Sequence, residues 1–208
     1  GREFASSIAR WCHLLIHDFV PELKGICDKN RETWEWYLDN FPGITVKTED
    51  YKMLLASPEI EVVYCAVPHN LHERIYIDII DSGKNLLGEK PFGIDKAANA
   101  KILEAVERNP KTFVRCSSEF PYFPACQRLI KWLKIGNYGR LIEVRTGFHH
   151  SSDMDLSKPI NWKRMVDING EYGCMGGSGD AHPSYPIPYG MEPLVCLCRP
   201  PKNRGNPT

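Results

Sequence analysis

Four groups of residues in this chain could do chemistry. Glu89-Lys90-Pro91 sets an amine between a carboxylate and a proline, and the proline restricts the lysine's backbone. A lysine held this way can carry a proton or polarise an oxygen once burial or a neighbouring cation or dipole lowers its pKa. The plainer reading of a lysine in a polar loop is a solvated side chain, and Lys84 is read so. Ala66-Val67-Pro68-His69, with His72 just beyond, brings two imidazoles to the end of an apolar run. Asp28 stands at the end of Leu23–Cys27. Asp180 and His182 lie in the C-terminal tail.

The elements that must position these groups follow from periodicity. Val62 to Val67 is apolar and β-branched, the pattern of a buried strand, and it stops at Pro68, which cannot donate to a ladder. Leu71, Ile75, Ile79 and Ile80 then recur at helical spacing, and Gly83 supplies the stop. Asn85 to Leu87 reads as a second short strand, broken at Gly88. Strand, helix and strand in this order predict a βαβ unit with parallel strands. Ligands of parallel sheets bind beyond the carboxyl ends of the strands. The turn Pro68-His69-Asn70 and the turn Glu89-Lys90-Pro91 therefore belong on one edge.

AVPHNLH followed by GEKPFG resembles the Gfo/Idh/MocA family of nicotinamide-dependent oxidoreductases, whose hallmark is Glu-Lys-Pro after a strand. The resemblance implies a Rossmann-like, doubly wound parallel sheet. It also implies NAD as cofactor and hydride transfer to or from a sugar, polyol or dihydrodiol-like alcohol. By the same resemblance Lys90 carries the proton, and Glu89 positions the lysine or the cofactor. His72 starts a helix and packs under the nicotinamide, and Ala66, Val67, Pro68, His69 and Pro91 line the cofactor's path. In the family the last glycine of the dinucleotide fingerprint stands where Gly1 stands, before a helix beginning much like RxxA. This predicts that the first strand and two glycines are missing; a cloning residue is the alternative for Gly1. Asp28 then accepts from the ribose hydroxyls and repels a 2′-phosphate, although it lies farther from Gly1 than the ~20 residues usual from the first glycine. Its other reading is a helix cap shared with Asn30. Lys29 and Arg31 leave NADP open. The rival function is a non-catalytic dinucleotide- or sugar-binding regulator of the same fold.

Along the chain, the face Phe4, Ile8, Trp11 and Leu15 predicts an opening helix to Ile16. Helices are expected over Arg31–Phe41, Tyr51–Ala56 and from Asp95, as N-cap, to Arg108. Strands are expected over Leu23–Cys27, Ile44–Val46 and Thr112–Cys116. The nucleotide-binding domain is read as 1–116. Residues 117–176 read as a partial α+β substrate and dimerisation domain, with a helix over Ala125–Ile135 and an alternating, antiparallel strand over Leu141–Phe148. NYGRLIEV and INWKRM carry the family pattern into this part. EYGCMG does too, but there the family shows Gly-Asp-Leu-Gly-x-His. Here GGSGDAH sets Asp180 and His182 two apart, so one helix turn cannot present both on one face. Residues 177–208 hold seven of the 16 prolines and read as an irregular tail, departing near Gly177 through a frame error or an alternative end. On this reading the chain itself can be inactive even within an active family.

Composition narrows the rest. Lys+Arg and Asp+Glu are both 26, which argues against a nucleic-acid or polyanion binder. No apolar run approaches the ~20 residues of a membrane helix, and no signal peptide is evident. Eight scattered cysteines, Cys27, Cys65 and Cys116 among apolar neighbours, read as reduced thiols of a cytoplasmic protein. Cys196 and Cys198 lack a partner pair, so no metal site is expected.

Overall fold

The computed structural model describes residues 1–15, 19–118, 120–136, 138–140, 142–143, 157, 159, 162 and 165–170. Its strands are β1 (Gly25–Cys27), β2 (Val46–Thr48), β3 (Val62–Cys65), β4 (Asn85–Gly88) and β5 (Val114–Cys116). Its helices are α1 (Arg2–Ala9), α2 (Trp34–Asn40), α3 (Tyr51–Ala56), α4 (His72–Asp81), α5 (Lys96–Arg108), α6 (Pro124–Ile135) and α7 (Val166–Asn169).

Among the described residues every strand pairing is parallel. β1 pairs β2, and β3-β4-β5 form a second sheet in that order. The expected single sheet is thus divided: among the described residues no strand ladder joins β1 to β3. Helix α1 touches both halves, with Gly1 against the Tyr37 hydroxyl of α2 and Phe4 stacked on Tyr64 of β3 at 4.0 Å.

The core lies between β3-β4-β5 and the helix pair α4 and α5. Ile75, Tyr76, Ile79, Ile80, Leu86, Ile102, Ala105 and Val114 are buried together. Each large apolar side chain buried there stabilises the fold by about 1.5–3 kcal/mol before entropy is counted. The predicted stripe of α4 is the buried one, with His72 and Tyr76 added to it. Asp95 caps α5 as expected, its Oδ1 accepting from the Ala98 amide at 2.7 Å.

Several boundaries shift for local reasons. The Lys24 carbonyl accepts from both the Thr45 and Val46 amides, so the ladder starts at Gly25↔Val46 rather than at Leu23 and Ile44. Helix α1 ends at Ala9, before a 3-10 turn over Trp11–His13, and Leu15 is fully exposed. A helix of this length holds only where its face packs, and here only Ala5 is fully buried. Residues Arg31–Thr33 form a 3-10 turn ahead of α2. Lys84 is not simply solvated: its Nζ donates to the Ser57 and Ile60 carbonyls, both at 2.7 Å, tying the approach of β3 to that of β4. Of the expected strand Leu141–Phe148, Ile142 and Glu143 are not in a strand, and the rest lies outside the described residues.

Candidate functional site

The register Cys65↔Gly88 brings the ends of β3 and β4 level, so the two polar turns leave the sheet side by side. The Glu89 amide donates to the Cys65 carbonyl at 3.0 Å and continues the pairing by one step. Pro68 opens a short 3-10 turn over His69–Leu71 that runs directly into α4. This brings Ala66, Val67, Pro68 and His69 beside Glu89, Lys90 and Pro91.

The turn carrying Lys90 is fastened from several sides. The Tyr64 hydroxyl donates to Glu89 Oε1 at 2.7 Å, so this carboxylate is held by β3. Burial, then this bond, pushes the Tyr64 phenol upward and keeps it protonated as the donor. The Tyr76 hydroxyl donates to the Glu89 carbonyl at 2.7 Å. Nδ1 of His72 lies 2.8 Å from the Pro91 carbonyl, and its Nε2 lies 3.0 Å from the Val67 carbonyl. Asn99 of α5 donates to the Phe92 carbonyl at 2.7 Å. Gly93 has φ +98°, and a Cβ there would strike the Asn99 amide at 2.7 Å, so glycine is required where the turn meets α5.

Lys90 itself is exposed, and among the described residues its ammonium has no ion-pair or hydrogen-bond partner. The backbone on either side is held while the amine is left to solvent or ligand.

The two histidines differ. His72 is completely buried, and burial pulls its pKa below the ordinary histidine value, outweighing the two carbonyls that push it up. In the neutral ring only one nitrogen carries a proton, so only one of the two carbonyl contacts is a hydrogen bond at a time. Its surroundings suit a fixed structural ring rather than an acid–base group. His69 is also buried, with its ring 5.1 Å from that of His72 and edge-on to Trp162 at 5.3 Å.

At the other half, Asp28 ends β1 and is exposed. Its Oδ1 accepts from the Asn30 amide at 2.9 Å, and its carbonyl accepts from Trp34 Nε1 at 3.1 Å. The cap on the following turn is Asn30, whose Oδ1 accepts from the Glu32 amide at 3.0 Å, so the alternative role falls to Asn30. Beside Asp28 a pocket of about 420 Å³ is lined by Arg31, Trp34, Lys47, Thr48, Glu49 and Asp50. Its size is that of a small-ligand cleft, about 300–1,000 Å³. Arg31 Nε donates to Glu49 Oε1, an ion pair that occupies one cation otherwise available to a phosphate.

A dinucleotide fits these residues. A carboxylate stands at the β1 end beside a pocket, Gly1 opens α1, and two fastened turns stand at the β3 and β4 ends. Asp180 and His182 lie outside the described residues, as does the tail. Among the described residues no cluster of His, Cys, Asp and Glu could hold a metal, and no helix is long and apolar enough to cross a membrane. The thiols of Cys27 and Cys65 are pushed up by burial to about 11 and about 12, which leaves them protonated and unreactive near neutrality.

The sequence reading missed Tyr76, the residue that fastens the Glu89 carbonyl. It sits in the helical stripe, where a tyrosine reads as core. The signal was Gly88 inside a strand, because a Cβ there would meet Tyr76 Cζ at 2.7 Å.

A parallel α/β fold with paired turns at its carboxyl edge defines a nucleotide-binding class. Residues 1–116 match the Gfo/Idh/MocA oxidoreductase family, with its NAD-binding Rossmann fold, and the chain belongs to that family. Levoglucosan dehydrogenase of Pseudarthrobacter phenanthrenivorans is 27% identical over 158 residues, 76% of this chain and 40% of that protein. D-xylose 1-dehydrogenase (NADP(+)) of Hypocrea jecorina is 24% identical over 196 residues, 92% of this chain and 48% of that protein. Trans-1,2-dihydrobenzene-1,2-diol dehydrogenase of Mus musculus is 32% identical over 98 residues, 47% of this chain and 29% of that protein. The chain therefore spans less than half the length of these relatives. The solved structure of levoglucosan dehydrogenase in complex with NADH and levoglucosan superposes with a TM-score of 0.70 at 23% identity. The overlap covers 79% of this chain and 44% of the other, a likeness of fold.

Proposed function

We propose that the chain is the nucleotide-binding part of an NAD(P)-dependent dehydrogenase acting on a sugar, polyol or dihydrodiol-like alcohol. The observation that carries this reading is the juxtaposition of the Pro68-His69 and Glu89-Lys90-Pro91 turns at the β3 and β4 ends, in a chain of this family. The nicotinamide, when bound, would take or give the hydride. Lys90 would hold or move the proton of the substrate hydroxyl at its Nζ, and its exposed amine beside a fastened backbone suits that task. Glu89 would orient the turn through Tyr64. Ala66, Val67, Pro68, His69 and Pro91 would line the cofactor, with His72 packed under the nicotinamide and Gly1 at the α1 N-terminus near the phosphates. Asp28 would meet the adenosine ribose. NAD is favoured over NADP by Asp28 and by the Arg31–Glu49 pair. Asp180 and His182 are assigned to the substrate side on the resemblance alone.

The same reading takes residues 1–116 as the cofactor domain and 117–176 as part of a substrate domain that also self-associates. The exposed Leu129, Trp132 and Leu133 of α6 support the latter. The free cysteines among the described residues suit a cytoplasmic setting. The deciding experiment is Lys90→Ala. Turnover should fall at least ~10²-fold, the scale for losing a positioned acid–base group, with NADH affinity retained. Unchanged turnover would mean the turn is architectural, and NADH binding without turnover in the unsubstituted protein would favour a regulatory binder.

A further inference from the structure

Under the Lys90 turn lies a buried aromatic stack with polar tips. Tyr76 is 0% exposed. Its ring stacks on His72 with centroids 4.6 Å apart and planes 17° apart, and it leans on Phe92 at 5.0 Å. Gly88 leaves the space this ring occupies. The stack ends in two polar contacts aimed at the same turn: the Tyr76 hydroxyl on the Glu89 carbonyl at 2.7 Å, and His72 Nδ1 on the Pro91 carbonyl at 2.8 Å. These are the carbonyls of the residues immediately before and after Lys90. Both partners come from the first turns of α4, four residues apart, where side chains share one face.

We propose that Tyr76 and His72, the latter as its Nδ1–H tautomer, are positioning residues for Lys90, gripping the carbonyls of Glu89 and Pro91 on its two sides and so holding its backbone while its side chain stays free. The proposal goes beyond the dehydrogenase reading in naming what places the lysine, and its catalytic consequence rests on that reading. The reason such a device is needed is geometric. Lys90 has no partner of its own among the described residues, so its aim depends on its backbone. Burial pushes the Tyr76 phenol well above its ordinary pKa, so it remains a donor throughout the working range. A displacement of 1 Å at a reacting group can cost ~10²-fold in rate.

The test is Tyr76→Phe, which keeps the ring and removes only the donor. Two measurements are made on the purified protein: amide hydrogen exchange of Lys90, Phe92 and Gly93, and kcat and KM with NAD(H) and a sugar alcohol. Exchange at these amides should accelerate, and kcat should fall about tenfold with KM for the cofactor within about twofold. Unchanged exchange overturns the proposal whatever the activity. Faster exchange with unchanged kcat also overturns it, because a merely structural tyrosine would lower the melting temperature and leave kcat alone. Where the unsubstituted chain shows no turnover, the exchange result decides the grip by itself. Should Tyr76→Phe not fold, His72→Phe keeps a ring in the stack, removes the donor to the Pro91 carbonyl and is read in the same way.

Discussion

Replacing Gly88 with alanine adds one carbon at a crowded point beneath the Lys90 turn. The new Cβ would lie 2.7 Å from Tyr76 Cζ, 2.8 Å from Tyr76 Cε2 and 3.0 Å from Phe92 Cε2. None of these atoms is the loose end of a flexible side chain. The Tyr76 ring is stacked on His72 and tied by its hydroxyl to the Glu89 carbonyl, so it cannot swing away without breaking that bond. Overpacking of this kind costs about 1–3 kcal/mol. With a urea m-value of about 1–3 kcal/mol per molar, 2 kcal/mol lowers the unfolding midpoint by roughly 1 M. The assay is urea unfolding of Gly88→Ala, Tyr76→Ala and the double variant. Tyr76→Ala alone should cost about 3–5 kcal/mol through the cavity it leaves. In its background Gly88→Ala should cost much less, because only the Phe92 contact at 3.0 Å then remains, giving a coupling of about 1–2 kcal/mol. An unchanged midpoint for Gly88→Ala, or the same loss with and without Tyr76, would refute the packing argument.

Two further outcomes follow from the geometry. Asp28→Ala should weaken NADH binding and relax discrimination against NADPH, read by fluorescence titration with both cofactors; an unaltered preference would remove Asp28 from the ribose. His72 has a folded-state pKa depressed by burial, so the unfolded chain binds more protons below the ordinary histidine value of about 6.5. The stability it contributes is present above that value and is lost as pH falls through it towards the lower folded-state value. Unfolding midpoints between about pH 7 and 5 should show this slope, and His72→Asn should flatten it.

How much could be read from the sequence depended on whether a signal was local. Val62–Asp95 was legible because strand length, the isoleucine stripe and Gly83 all act within the segment, and the αβ register follows from parallel pairing. The end of α1 was not, because the stripe through Trp11 and Leu15 needs a packing partner that periodicity cannot supply. The start of β1 and β2 hung on one shared acceptor, the Lys24 carbonyl. Lys84 looked like any loop lysine; its two acceptors come from residues 57 and 60, far off in the chain. The Lys90 turn was found by its motif, but its fastening was invisible, since Tyr76 reads as core and a backbone acceptor has no sequence signature.

These points converge on why α4 rather than the neighbouring loop holds the site. Backbone carbonyls leaving a parallel strand lose their ladder partners at once, and buried ones need donors. A loop could satisfy them only by folding over the turn, which would cover the lysine. The helix of the βαβ unit passes beneath the same turn, so Tyr76 donates to the Glu89 carbonyl and the His72 ring meets the Pro91 carbonyl from the core side. Lys90 itself stays exposed. The requirement of burial for the backbone and of access for the amine is thus met by splitting them between two faces of one turn. A tyrosine with a glycine opposite it is a compact way to do so, because the ring fills the core and only its hydroxyl emerges at the acceptor.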